Sequence, residues 1–234
     1  MRERKPAMLL VHGAWHRMQM WRKLIEQLPD DLDVRILQSP SSAPVPASEL
    51  GDLYDDAHAI RAAADAVDGP VVVVAHSYGA APANQGLAGS ANVVRIVSLA
   101  GFQLDVGESM LSRSEGKRPY YFGADHYDEG YFEMTDPVAI FYPDLDPAEA
   151  KIAVDALGPQ SAASMEQSLT QAAWRTIDTT YIRTTGEAQV ARFGPFAKRA
   201  HRVREIATAH SPFLNRPREL AELLRQDLAD VEKR

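Results

Sequence analysis

Four consecutive valines, Val71–Val74, followed at once by Ala75-His76-Ser77-Tyr78-Gly79, constrain this chain more than any other stretch. A strand apolar on both faces must be covered on both, as a central strand of a parallel sheet is. The pattern then breaks at a hydroxyl, placed where a buried strand stops. Ser77 either caps the helix that follows or is a nucleophile exposed on a tight turn.

The flanking sequence supplies the rest of such a sheet. "AMLLVHGAW" is a short apolar strand ending at Gly13, and "DVRIL" (33–37), "NVVRIVSLAG" (92–101), "TTYIRTT" (179–185) and the weaker "HRVREIA" (201–207) are further strands. Between them, helical stripes recur at i, i+3, i+4 and i+7: Trp21, Leu24, Ile25 and Leu28, then Leu50, Leu53, Tyr54, Ala57 and Ile60. A last helix has Pro217 in its first turn and a stripe of Leu220, Leu223, Leu224, Leu228 and Val231. This alternation predicts an α/β fold: a mostly parallel sheet of about six strands with helices on both faces. The alternation lapses from 102 to 175, which is therefore expected to be a lid inserted into a single domain spanning 1–234.

Composition narrows the function. A net charge of −7 without a long basic run argues against nucleic acid, whose phosphates need a basic surface. With no cysteine, disulfides, thiolate metal sites and a cysteine nucleophile are excluded. Only the short apolar run Ala7–Val11 precedes His12, too few residues for a signal-peptide core, and no later run could span a membrane. A cytoplasmic location is expected.

In open sheets of this kind, ligands sit beyond the carboxyl ends of the strands. The residues there include Ser77, then Asp105 and Glu187, then His210: a serine, an acid and a histidine in that order. A serine hydroxyl becomes a useful nucleophile when a base takes its proton and a third group orients that base. The turn that exposes it needs small residues two positions away on each side. The usual G-x-S-x-G is met here by Ala75-His76-Ser77-Tyr78-Gly79. His12 and His16 are spaced as a helical metal pair would be. They flank a glycine turn with no carboxylate motif nearby, so structural roles are expected and no metal site.

With "LLVHGAWH" (9–16), "VAHSYGA" (74–80), "VSLAGFQLDVGESM" (97–110), "AAWRTIDTTYIRTTGEAQV" (172–190) and "TAHSPFLNRPRELAELL" (208–224), the chain resembles the α/β-hydrolases. It is most similar to the branch of plant methylesterases, hydroxynitrile lyases and their bacterial esterase relatives. The resemblance implies an α/β-hydrolase fold with Ser77 as nucleophile and His210 as general base. The backbone N–H groups of Ala14 and Tyr78 would form the oxyanion hole. The family's acid is usually an aspartate shortly after the strand at 179–185. Glu187 stands there, and Asp105 is the competing candidate.

Hydroxynitrile lyases of the branch carry threonine in the first oxyanion turn and lysine after the histidine. Ala14 and Ser211 stand at those positions, so the resemblance implies ester hydrolysis without a cofactor. An acyltransferase or thioesterase using the same acyl-serine, and a non-catalytic binding protein, are the alternatives. The expected partner is a small acyl compound, free or carried on another protein, and a homodimer is an open assembly. Half of the chain's Phe, Trp and Tyr residues fall between Phe102 and Tyr142. They are either the core of the lid or the lining of a pocket for an aromatic or apolar group. Candidate lining residues are Trp15, His16, Phe102, Tyr120, Tyr121 and Phe141. "HRMQM" (16–20) replaces the usual small residues after the first turn, so methyl-ester specificity is not inherited.

Overall fold

The protein is represented by a computed structural model that describes residues 5–112 and 117–233, with the backbone alone for 187–191. Along the chain run β1 (Ala7–Val11), α1 (Arg22–Ile25), β2 (Val34–Leu37), α2 (Leu53–Asp65), β3 (Val71–His76), α3 (Ala80–Gly86) and β4 (Val93–Leu99). Next come β5 (Phe122–Gly123), β6 (Tyr131–Met134), α4 (Pro137–Phe141), α5 (Pro147–Asp155), β7 (Gln160–Ser161) and α6 (Ala162–Glu166). The chain closes with β8 (Thr179–Thr184), α7 (Glu187–Ala197), β9 (Arg202–Ile206), α8 (Pro212–Asn215) and α9 (Pro217–Glu232).

Six strands form one parallel sheet in the order β2-β1-β3-β4-β8-β9. The valine run occupies its middle, and all four side chains are fully buried. They alternate between faces as the strand period requires. Val71 and Val73 pack with Ile60 and Ala64 of α2 and Ala83 of α3. Val72 and Val74 pack with Trp21, with Leu24 of α1, and with Leu220 and Leu224 of α9. Burial on both faces is why no polar residue interrupts the run. The edge strand β9 has one face wet, and its residues alternate accordingly.

Two helices differ from their sequence expectation. Trp21, Leu24 and Leu28 are buried as the stripe predicts, but α1 is only one turn, entered through a 3-10 turn at Met18–Trp21. Pro29 disfavours helical backbone at Leu28, so the chain leaves the helix early. The second helix begins at Leu53 rather than Leu50. The Asp52 side chain accepts the N–H groups of Tyr54 and Asp55, and Asp55 reaches back to the Asp52 N–H, a capping box that fixes the start.

The segment 102–175 carries a small antiparallel sheet in the order β5-β6-β7 together with α4, α5 and α6. Its aromatic residues join Ala14, Trp15, Tyr78 and Tyr181 in a third apolar cluster, above the carboxyl ends of the central strands. Trp15 pins the segment in place. Its indole N–H donates to the Phe132 carbonyl at 3.0 Å, and its own carbonyl accepts from the Gly158 N–H at 2.9 Å.

Candidate active site

The carboxyl end of β3 passes directly into Ser77, whose φ is +53°. For a residue with a Cβ this left-handed conformation costs roughly 1–3 kcal/mol and persists only where packing imposes it. The imposing contact is the close approach of the β1 turn. A Cβ on Gly79 would lie 2.5 Å from the His12 carbonyl oxygen, so no side chain fits there. Ala75 is fully buried beneath the turn. The small residues on either side of the serine therefore let two backbone turns touch.

The turn after β1 is just as tight. A Cβ on Gly13 would stand 2.8 Å from the His76 ring and 3.0 Å from the Ser77 Cβ. Two buried histidines orient its peptides. His12 Nδ1–H donates to the Gly13 carbonyl at 2.8 Å, while its Nε2 accepts from the Ser39 N–H at 3.0 Å. His16 Nδ1–H donates to the Ala14 carbonyl at 2.8 Å, and its Nε2 accepts from the Tyr142 hydroxyl at 2.9 Å. Because the Gly13 carbonyl is held by His12, the Ala14 N–H of the same trans peptide points the opposite way. Ala14 and Tyr78 both line the cavity that holds Ser77. Burial drives the pKa of His12 and of His16 down to about 4, so both rings are neutral near pH 7, as their accepting nitrogens require.

His210 comes to this site from the loop after β9. Its Nε2 lies 2.9 Å from Ser77 Oγ. The imidazole is stacked between two rings, Phe193 at 5.3 Å and Phe141 at 5.6 Å between centroids. Its carbonyl accepts from His76 Nε2–H at 3.0 Å. The loop itself is held by Asp144, whose carboxylate accepts from the Thr208 hydroxyl, the Ala209 N–H and the Asn215 amide. Burial first, and then the positive charge of Arg192, holds the His210 imidazole well below its ordinary range, which keeps it neutral and able to accept a proton.

His210 Nδ1 is buried and has no hydrogen-bond partner among the described side chains. Asp105 does not supply one. Its two carboxylate oxygens accept from Arg175 at 2.8 and 2.6 Å, and this pairing, with the bond from Arg175 as the main cause, lowers its pKa. Asp105, expected as the competing acid, is thus paired with Arg175 and is not brought to His210 Nδ1 in this structure. Glu187 begins α7, immediately after Gly186, whose N–H donates to the Thr208 carbonyl at 3.1 Å. That brings its backbone beside the His210 loop, while its side chain lies outside the described residues.

Of the other expected pocket residues, Trp15, Phe102, Tyr121 and Phe141 line the cavity with Ser77 and His210. Two do not. His16 is spent on the Ala14 carbonyl and the Tyr142 hydroxyl, beneath the turn rather than in the cavity. Tyr120 is 70% exposed and faces away. No sequence motif marks Arg192 and Phe193, which come from α7 and also line the cavity. Nor does any motif signal the polar network behind these two turns. The Trp15 N–H donates to Gln160 Oε1 at 3.0 Å, Gln160 donates to Ser41 Oγ, and Ser41 and the Tyr78 hydroxyl both donate to buried Asp56. Burial raises the Asp56 pKa to about 6 against these bonds.

The comparisons with known proteins agree with this fold. A model of the alpha/beta hydrolase family matches residues 8–223. The chain belongs to that family. That membership supports an enzyme of the hydrolase type. It is 26% identical to the alpha/beta hydrolase nvfD of Aspergillus novofumigatus, across 94% of this chain and 96% of that one. Its fold is shared with a pyrethroid hydrolase from Sphingobium faniae (TM-score 0.75, 14% identity, 96% and 97% of the two chains). A methylesterase, MES16 from Arabidopsis, shares it too (TM-score 0.73, 15% identity, 96% and 99%). Among the described residues no helix is long and apolar enough to cross a membrane.

Proposed function

We propose that the protein is a serine ester hydrolase working through an acyl-serine. The observation that carries this reading is the 2.9 Å contact between His210 Nε2 and Ser77 Oγ, made on a strained turn that faces an apolar cavity. His210 takes the Ser77 proton as Oγ attacks the ester carbonyl, and the resulting oxyanion is received by the N–H groups of Ala14 and Tyr78. On collapse the imidazolium returns its proton to the leaving alcohol. Water, activated by the same imidazole, then releases the acid. The imidazolium needs an acceptor at Nδ1, and Glu187, next to the Gly186 that is tied to the His210 loop, is the acid assigned to that role. Glu187→Gln should lower kcat at least tenfold, and Asp105→Asn by less than threefold, in assays on one aryl ester. The reverse pattern would exchange the two assignments.

The cavity is about 20 Å³, room for about one water. An ester must displace ring side chains to enter, so the lining rings of the lid set the acyl group that is accepted. Apolar and aromatic esters fit this wall best. The reading is checked by incubating the protein with aryl and alkyl esters and thioesters and measuring intact mass, with Ser77→Ala as control. Turnover with a transient acyl adduct, absent from the control, is expected. Neither turnover nor adduct would remove the enzyme reading. An adduct discharged by a thiol or amine but not by water would identify an acyltransferase.

A further inference from the structure

The cavity wall contains one fixed charge. Apart from Ser77, His210 and the Tyr121 hydroxyl, the side chains facing the cavity are apolar, except for Arg192 of α7. Its guanidinium carbon sits 5.1 Å from the centroid of the Tyr121 ring, which holds the planar group against the wall. Two other arginines near this end of the molecule are matched by acids: Arg175 by Asp105 and Arg199 by Glu108. Among the described residues no carboxylate pairs with Arg192.

We infer that Arg192 is a carboxylate-binding subsite, and that the substrate is an ester with an apolar, ring-sized body bearing one carboxylate. This rests on the ester-hydrolase reading and names its substrate class. Arg192 is only partly exposed, and a planar carboxylate meeting its fork in two parallel hydrogen bonds replaces the water that the neighbouring rings displace. The ring walls cover the apolar body while the charged end fixes the register of the ester against Ser77. There is also a consequence for the base. Arg192 lies near enough to oppose the protonation of His210, and a bound carboxylate cancels that opposition when the imidazolium must form. The same wall that discourages a proton on His210 in the free enzyme thus permits it in the complex.

The test uses binding to Ser77→Ala, which is independent of turnover. Two near-isosteric pairs serve as probes: monomethyl terephthalate against methyl 4-carbamoylbenzoate, and 4-acetoxybenzoate against 4-acetoxybenzamide. The first pair carries the charge on the acyl side and the second on the alcohol side. By calorimetry the carboxylate of at least one pair should bind ten times or more tighter than its amide. Adding Arg192→Gln should reduce that ratio below threefold, and Arg192→Lys, which keeps the charge but loses the planar fork, should give a ratio between the two. Equal binding of carboxylate and amide in both pairs, no binding of any probe, or a preference that survives Arg192→Gln would overturn the inference. Because Ser77 is absent from this assay, its failure is separable from that of the hydrolase reading, which turns on the acyl adduct.

Discussion

Replacing Ser77 with alanine should lower kcat on any ester the protein cleaves by on the order of 10⁴-fold or more. The hydroxyl is the only atom of the turn that can form the covalent bond, and the Ala14 and Tyr78 N–H groups can stabilise an oxyanion only after attack. His210→Ala should cost about as much, because without Nε2 at 2.9 Å the hydroxyl keeps its proton. The double substitution should be no worse than either single one, since the pair acts as a unit. Losses that multiplied would show that the two side chains contribute separately. The same position carries a stability signature. With φ at +53°, Ser77 is strained and alanine inherits the strain, whereas glycine does not. Ser77→Gly should therefore be more stable than Ser77→Ala by roughly 1 kcal/mol in denaturant titration. Equal stabilities would mean that the turn is not held under strain.

A second large effect is expected in acid. His12 and His16 are buried as neutral rings with pKa values near 4, against 6.5 when exposed, and burial depresses His76 and His210 in the same direction. A histidine that is harder to protonate when folded stabilises the fold fully above pH 6.5. That contribution is lost as the pH falls from 6.5 towards 4, where the unfolded chain takes up protons the folded one refuses. For His12 and His16 the linkage amounts to on the order of 3 kcal/mol each.

Asp56 works the other way. Its folded pKa of about 6 lies above the ordinary 3.8, so its contribution is present at low pH and lost as the pH rises through 6. That is on the order of 3 kcal/mol for one group, against two histidines of similar size and two more of the same sign. The histidines win. Stability measured by denaturant titration should fall steeply between pH 6.5 and 4.5. In Asp56→Asn, with the opposing contribution removed, the fall over that interval should be larger by roughly 2 kcal/mol. A flat or rising profile in the parent protein would mean that these rings are accessible to protons in the folded state.

Much of the frame could be read from residues alone because it follows from local periodicity. Val71–Val74 demand cover on both faces, Pro217 and the leucines after it announce the last helix, and Ala75 and Gly79 bracket a serine at a strand end. Each of these signals lies within ten residues, where backbone geometry translates directly into pattern. Ser77 and His210 were legible for the same reason, since each sits in a recognisable strand-to-helix or loop-to-helix junction.

What tertiary structure decided is what depends on residues far apart in sequence. Asp105 is a plausible triad acid until Arg175, seventy positions away, is seen to hold both its oxygens. His16 reads as a pocket residue until the Tyr142 hydroxyl, 126 positions away, claims its second nitrogen. Arg192 has no motif around it. It matters because the twist of the sheet and the path of α7 bring it over the cavity that β3 opens. Strand period and turn chemistry are properties of a short segment, so the sequence alone determined the fold class and the tight turn that carries Ser77. Which charges meet, which are cancelled and which one is left at the cavity wall are properties of packing, and only the folded chain could decide them.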